Sequence, residues 1–299
     1  MSALPPDGVD GGAVESAGAG AAGGATAGAG PIEHVDIDWA GQRVGIEHQW
    51  IHRDRFGAPL VIFLHEGLGS VRMWKDFPAR LCDALGWRGL VYSRVGYGGS
   101  RLYTPEQAWG LDFMHRQAHE VLPALLDALA IDPDMQPPWL LGHSDGGSIA
   151  LLYAARFTRR VAGLVVMAPH IVVEDLSIRS ISAARRAYLE TDLRERLARY
   201  HDDPDRAFWR WNDIWLHSPF RDWSIEQEIE TIRCPVLAIQ GVDDEYGTMA
   251  QIRGIARRVP QTQLVELPDC AHSPHRDQPD AVIDEVRAFV GAVGAQDPG

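Results

Sequence analysis

Only three cysteines occur in the 299-residue chain, Cys82, Cys234 and Cys270, far apart and without C-x-x-C spacing. That excludes a disulfide framework and a cysteine-rich zinc site. It suits a reducing compartment, so a cytoplasmic location is expected. Basic residues are outnumbered: 28 Lys and Arg against 41 Asp and Glu give a formal net charge of -13. Nucleic acid and anionic membranes require clustered cations, so neither is expected as a partner. No apolar run comes near the roughly 18 residues that a membrane span needs. The opening MSALPPDGVDGGAVESAG has neither a basic start nor an apolar stretch and does not read as a secretory signal. Aromatics are missing from Gly8 to Gly30, which is mostly Gly and Ala. Such a stretch cannot bury enough surface to offset its ordering entropy, so residues 1–30 are expected to be a flexible, disordered tail.

What remains is ordinary globular material, 45% hydrophobic and 23% charged over the whole chain, enough for a substantial core. No internal repeat is evident. From Pro31 the signals alternate. IEHVDIDW and RVGIEHQWIHR predict two strands joined by a turn. PLVIFLHEG, GLVYSRVGYGGS, PWLLGHS, VAGLVVMAPH, CPVLAIQGVDD and TQLVELPD predict six more. Between them MWKDFPARLCDAL, FMHRQAHEVLPALLDALA, DGGSIALLYAARF, GTMAQIRGIARRV and PDAVIDEVRAFVGAV carry helical spacing. Alternation of this kind predicts a mainly parallel sheet with helices on both faces. The pattern breaks over residues 171–231, where a charged helical stretch precedes an aromatic-rich one and no convincing strand appears. This predicts a helical insertion in a core formed by residues 31–170 and 232–299.

The stretch LLGHSDGGSIALLYAAR holds one serine, Ser144, between Gly142 and Gly146. A strand that turns sharply into a helix strains the residue at the turn and needs small neighbours. The serine then stands at the carboxyl end of the strand and at a helix N-terminus. The bland alternative is a glycine-rich turn whose serine only caps the helix. A serine hydroxyl needs a base, and the base needs an orienting carboxylate. Both follow later in the chain: QGVDDEYGT supplies the acid after one strand and PDCAHSPHRDQP the base after the next.

The elbow, the order Ser, Asp, His and the strand pattern together resemble the α/β-hydrolase superfamily over almost all of the chain after Pro31. The loop His65-Glu66-Gly67 is similar to that superfamily's oxyanion loop, and the insertion lies where its members carry a lid. The resemblance implies an α/β-hydrolase fold, a mainly parallel central sheet flanked by helices, with a helical lid at 171–231. The family's Gly-x-x-Asp spacing, counted from Gly241, points to Asp244 as the triad acid. Asp243 is the alternative and otherwise a turn former. The family's small residue before the histidine matches Ala271-His272, although glycine is more usual there. His275 is the alternative and otherwise a packing histidine.

The resemblance further implies an oxyanion hole made by the backbone N–H of Asp145 and that of Glu66, with Gly67 as the fallback. The side chains of Glu66 and Asp145 then lie near the reaction centre. Either they bind back to their own loop and helix terminus, or they recognise a cationic or hydroxylated substrate group. His143 is expected to pack beside its strand, and His65 to bond the loop backbone. His115 and His119, four apart on a helix, lack a third ligand and are expected to be ordinary helix-face residues. Of Phe208, Trp209, Trp211, Trp215, Phe220 and Trp223, some are expected to line an apolar pocket and the others to pack the lid.

The function implied is a serine hydrolase that cleaves a small carboxylic ester through Ser144, Asp244 and His272. Its partner is a small-molecule acyl substrate, with no cofactor and no metal, and the oligomeric state is open. The alternatives are a carbon–carbon bond hydrolase of aromatic ring-fission products, an amide, thioester or lactone hydrolase, and a non-catalytic binding protein of the same fold. A haloalkane dehalogenase is disfavoured, because its nucleophile position would hold Asp.

Overall fold

The computed structural model describes residues 28–102 and 109–296. Among the described residues nine strands form one sheet. They are β1 (Ala29–Trp39), β2 (Gln42–Ile51), β3 (Leu60–Leu64), β4 (Arg88–Tyr92), β5 (Arg101–Leu102), β6 (Trp139–His143), β7 (Gly163–Met167), β8 (Val236–Gly241) and β9 (Thr262–Leu267). The order is β1-β2-β4-β3-β6-β7-β8-β9, with the two-residue β5 paired to β2. β2 pairs antiparallel with β1, β4 and β5, and from β4 to β9 every pairing is parallel. This is the mainly parallel sheet expected from the alternation of strands and helices.

The central strands are apolar on both faces because both are covered. Ile62, Leu64, Leu140, Leu164, Val166 and Ala238 point into one core. Their alternating neighbours Val61, Phe63, Leu141, Val165, Met167 and Leu237 point into the other. The period of two in the sequence is thus the pleat of the sheet.

The helices are α1 (Phe77–Leu85), α2 (Phe113–Arg116), α3 (Leu122–Ala128), α4 (Asp145–Arg156), α5 (Asp175–Glu190), α6 (Leu193–Leu197), α7 (Pro204–Trp215), α8 (Ala250–Arg258), α9 (Pro274–Asp277) and α10 (Pro279–Gln296). The single helix expected over FMHRQAHEVLPALLDALA is instead α2, a π-helical turn at Gln117–Val121 and α3. Pro123 explains the break, because a proline inside a helix removes a donor and crowds the preceding turn.

Most of the expected tail lies outside the described residues, but its end needs correction. Ala29 pairs with Ile51, and the His52 N–H donates to the Gly28 carbonyl at 2.7 Å. Backbone pairing extends an edge strand without side chains, and composition does not register it. Between β7 and β8 the chain leaves the sheet as α5, α6, α7 and two 3-10 turns, Ser218–Asp222 and Glu228–Thr231. Its one bridge, Val172 with Ser224, is isolated. No helix among the described residues is long and apolar enough to cross a membrane.

Candidate active site

Ser144 stands between β6 and α4 with φ 51° and ψ -121°, a strained region for a residue with a side chain. The turn closes only because its neighbours lack Cβ atoms. A Cβ on Gly142 would lie 2.3 Å from the Gly146 carbonyl oxygen, and one on Gly146 would lie 2.0 Å from that of Leu64. The Ser144 N–H donates to the Met167 carbonyl at 2.9 Å, and Ser148 Oγ donates to the His170 carbonyl at 2.6 Å. The elbow is therefore tied to the end of β7 on both sides of the serine.

The structure brings Ser144, Asp244 and His272 together. Ser144 Oγ lies 2.9 Å from His272 Nε2, and His272 Nδ1 lies 2.8 Å from Asp244 Oδ1. Asp244 also accepts from the N–H groups of Tyr246 (2.8 Å) and Gly247 (3.2 Å) and from Gln240 Nε2 (2.9 Å). With its carboxylate so engaged, His272 carries its proton on Nδ1 and presents Nε2 as the acceptor for the serine hydroxyl. Burial opposes a charge on His272, but the Asp244 carboxylate outweighs it, and the pKa lies above the ordinary value. Burial likewise opposes ionisation of Asp244, and the His272 ring overcomes it, holding the carboxyl below its ordinary value. A serine in this arrangement can pass its proton to His272 while its oxygen attacks an acyl carbon.

The alternatives lie elsewhere. Asp243 is exposed, and its N–H donates to the Cys270 carbonyl. His275 packs between Trp74 (4.8 Å between ring centroids) and Phe77 (5.4 Å), and burial drives its pKa well down. His65 bonds its own loop: Nδ1 donates to the Glu66 carbonyl at 2.7 Å, and Nε2 accepts from the Arg94 N–H at 2.9 Å. His143 does more than pack. Its Nε2 donates to the His272 carbonyl at 2.7 Å, and its Nδ1 faces Glu66 Oε2 at 3.6 Å. Burial works against the Glu66 carboxylate, but the facing His143 ring holds its pKa below the ordinary range. His115 reaches Glu228, and His119 reaches the Leu152 carbonyl. Among the described residues no cluster of three ligands could hold a metal ion.

The side chain of Asp145 is not available to a substrate cation. It is buried against Arg94, whose two terminal nitrogens lie 3.5 Å from Oδ2, and against Trp215, whose Nε1 donates to Oδ1 at 3.2 Å. Burial pushes its carboxyl above the ordinary value despite the pull of Arg94. Arg94 escapes the motif-based reading. Its one signal is position, two residues past the carboxyl end of β4, where parallel-sheet proteins place functional groups. His170, past the end of β7, escapes it too. Its ring stands 5.9 Å from that of His272, and burial lowers its pKa to about 3.

A cavity of about 380 Å³ opens beside Ser144 and His272. Leu68, Met73, Trp74 and Phe77 line one side, and Ile181, Leu193, Leu197, Trp211 and Trp215 from the insertion line the other. Of the six aromatics noted in the sequence, only Trp211 and Trp215 reach it. Phe208 stacks on Tyr188 at 3.8 Å, Phe220 stacks on Trp223 at 5.3 Å, and Trp209 stands edge-on to Tyr188. The insertion is fastened to the loops that follow β3 and β4. The Gly98 N–H donates to His201 Nδ1 at 2.9 Å, His201 Nε2 donates to the Leu68 carbonyl at 2.8 Å, and Arg210 donates to the Val95 carbonyl.

A family model described as the alpha/beta hydrolase family matches residues 61–285. The chain is 24% identical over 266 residues to an sn-1-specific diacylglycerol lipase of Mus musculus, covering 78% of this chain and 81% of that protein. It is 27% identical over 203 residues to a 2-succinyl-6-hydroxy-2,4-cyclohexadiene-1-carboxylate synthase of Enterobacter sp. (strain 638), covering 68% of each. Among solved structures it superposes on a thermophilic esterase from Thermogutta terrifontis with TM-score 0.67 and 19% identity, covering 88% of this chain and 99% of that one. It superposes on the enol-lactonase from Burkholderia xenovorans LB400 with TM-score 0.66 and 21% identity, covering 87% and 100%.

Proposed function

Because the chain belongs to the α/β-hydrolase family, we propose that it is a serine hydrolase cleaving a small carboxylic ester through an acyl-enzyme on Ser144. The observation that carries this reading is the hydrogen-bonded series from Ser144 Oγ through His272 to Asp244, beside a cavity that combines a cluster of apolar side chains with charged ones such as Lys75, Arg80, Arg196 and Arg276. His272 Nε2 takes the serine proton as the oxygen bonds to the ester carbonyl carbon. Asp244 holds the imidazole in its tautomer and stabilises the cation that forms. The tetrahedral oxyanion is met by the N–H of Asp145, a first-turn amide of α4 with no acceptor inside the helix, and by the N–H of Glu66. His272 returns the proton to the leaving alcohol. Water, activated by the same imidazole, then releases the acid.

The cavity suits a short to medium apolar acyl chain, and the insertion acts as the lid over it. The three buried free thiols fit a reducing, cytoplasmic setting. The test is a panel of ester, thioester, amide, lactone and vinylogous diketone substrates, with Ser144→Ala as the blank. Esters turned over fastest by the wild type, with no turnover by the variant, support the reading. Preferred cleavage of the diketone moves it to carbon–carbon bond hydrolysis, and no turnover of any class removes it.

A further inference from the structure

Arg94 is the only arginine or lysine buried among the described residues, and the proposed chemistry gives it no step. A guanidinium withdrawn from water is costly unless its surroundings replace the lost hydration. Those surroundings are specific. Nη2 donates to the Glu66 carbonyl at 2.8 Å and lies 3.4 Å from the Gly67 carbonyl. Both terminal nitrogens reach Asp145 at 3.5 Å, and the ring of Tyr97 lies 4.7 Å from the guanidinium carbon. The shortest contact is therefore to the loop, and the ion pair with Asp145 is the longer one. The backbone of Arg94 is held as well, since its N–H donates to His65 Nε2.

Glu66, Gly67 and Asp145 belong to two separate pieces of chain, the loop after β3 and the first turn of α4. These are the pieces that carry the two proposed oxyanion donors. A trans peptide fixes an N–H once the carbonyl of the same unit is fixed, so a grip on the Glu66 carbonyl sets the Gly67 amide, the fallback donor, directly and holds the Glu66 amide only through the residue between them. The His65 ring donates to that same carbonyl from its own side at 2.7 Å. One planar, multidentate cation thus spans loop and helix, which a lysine's single ammonium cannot do.

We propose that Arg94 is a positioning residue that sets the spacing between the loop at Glu66–Gly67 and the start of α4 at Asp145, and so the geometry of the oxyanion hole. The inference rests on the serine hydrolase reading and deepens it. Arg94 acts through the loop and Asp145 and touches no substrate, so its loss changes transition-state binding and leaves ground-state binding alone.

The experiment compares Arg94→Met, Arg94→Lys and the double variant Arg94→Met/Asp145→Asn with the wild type. The readouts are kcat and KM on the best ester, the inhibition constants of a boronic acid and of the product acid, and Tm. The expected loss in kcat for Arg94→Met is about 10²-fold, the scale of one oxyanion donor. KM should stay within about threefold, the mark of an interaction made only in the transition state. Boronic acid binding should weaken in step with kcat, and product-acid binding should not. The double variant removes both buried charges, so it should recover Tm but not kcat, and Arg94→Lys should behave likewise. Recovery of kcat together with Tm in the double variant, or a folded Arg94→Met with wild-type kcat, overturns the inference while the hydrolase reading stands. A wild type inert to every ester and unmodified by the boronic acid overturns the hydrolase reading itself, and this inference with it.

Discussion

Two walls face each other across the cavity, and they are built differently. On one side Ser144, Asp244 and His272 stand on loops that leave parallel strands of the sheet. Their positions are set by ladder pairing, by strained turns and by contacts too close for a Cβ. On the other side Ile181, Leu193, Leu197, Trp211 and Trp215 come from helices outside the sheet, fastened by a few side-chain hydrogen bonds such as those of His201 and Arg210. The sheet wall holds groups in fixed directions, which bond making requires. The helical wall offers apolar area, which sets how much substrate fits. On the proposed function, chemistry belongs to the first wall and selectivity to the second.

The largest effect should come from the sheet wall. Asp244→Asn should lower kcat by about 10⁴-fold, because the imidazole loses the partner that fixes its tautomer. Asp243→Asn, at an exposed carboxylate, should leave kcat within about threefold, as surface substitutions do. Steady-state kinetics on one ester checks both, and the reverse ranking would move the orienting role to Asp243.

The same contrast explains what is legible in the sequence. The nucleophile turn, the acid and the histidine carry short-range signals, namely small residues around a serine and fixed spacing after a strand. The choices of Asp244 over Asp243 and of His272 over His275 rest on the resemblance, on Gly-x-x-Asp after Gly241 and a small residue before the histidine, and it is Asp244 and His272 that lie within hydrogen-bond distance of each other. Arg94 was not read, because its partners Glu66 and Asp145 are 28 and 51 residues away along the chain. The helical wall was read as a composition only. Aromatic spacing does not separate Trp211, which faces the cavity, from Phe208, which stacks on Tyr188. That division is decided by tertiary packing. Backbone pairing at Ala29 and the π turn before Pro123 escaped for similar reasons.

A smaller effect should sharpen the contrast from the other wall. Ile181→Ala enlarges the cavity from the insertion side. It should shift the ratio of kcat/KM between a longer and a shorter acyl ester by about tenfold in favour of the longer, the scale of one or two methylenes in an apolar pocket. The ratio is independent of the fraction of folded enzyme, and kcat for the short ester should hold. An unchanged ratio would deny the insertion its part in selectivity.

pH separates the histidines in the same way. The pKa of His272 is raised above its ordinary 6.5, and only its neutral form can act as base. The kcat/KM of a neutral ester should therefore fall with acid around an inflection above 6.5. An inflection well below that value would contradict the ion pair with Asp244.

The smallest effect concerns stability. Burial lowers the pKa values of His48, His65, His119, His170, His201 and His275, so these bind protons in the unfolded chain before they do in the folded one. Their contribution is lost as pH falls below the unfolded value. His272 has the opposite sign: its contribution is present below the unfolded value and is lost as pH rises through its raised folded pKa. Six groups against one predict a Tm that declines from about pH 7 to pH 5. A Tm that is flat or rising over that span would show these histidines charged in the folded state.

The most direct test of the central claim, that the sheet wall activates Ser144 as a nucleophile, is the intact mass of the protein after treatment with a fluorophosphonate. The account predicts a single adduct on the wild type, located to the peptide containing Ser144 and absent from Ser144→Ala. Labelling at Asp244→Asn should be strongly slowed. A wild type that remains unmodified, or an adduct that persists in Ser144→Ala, would contradict it.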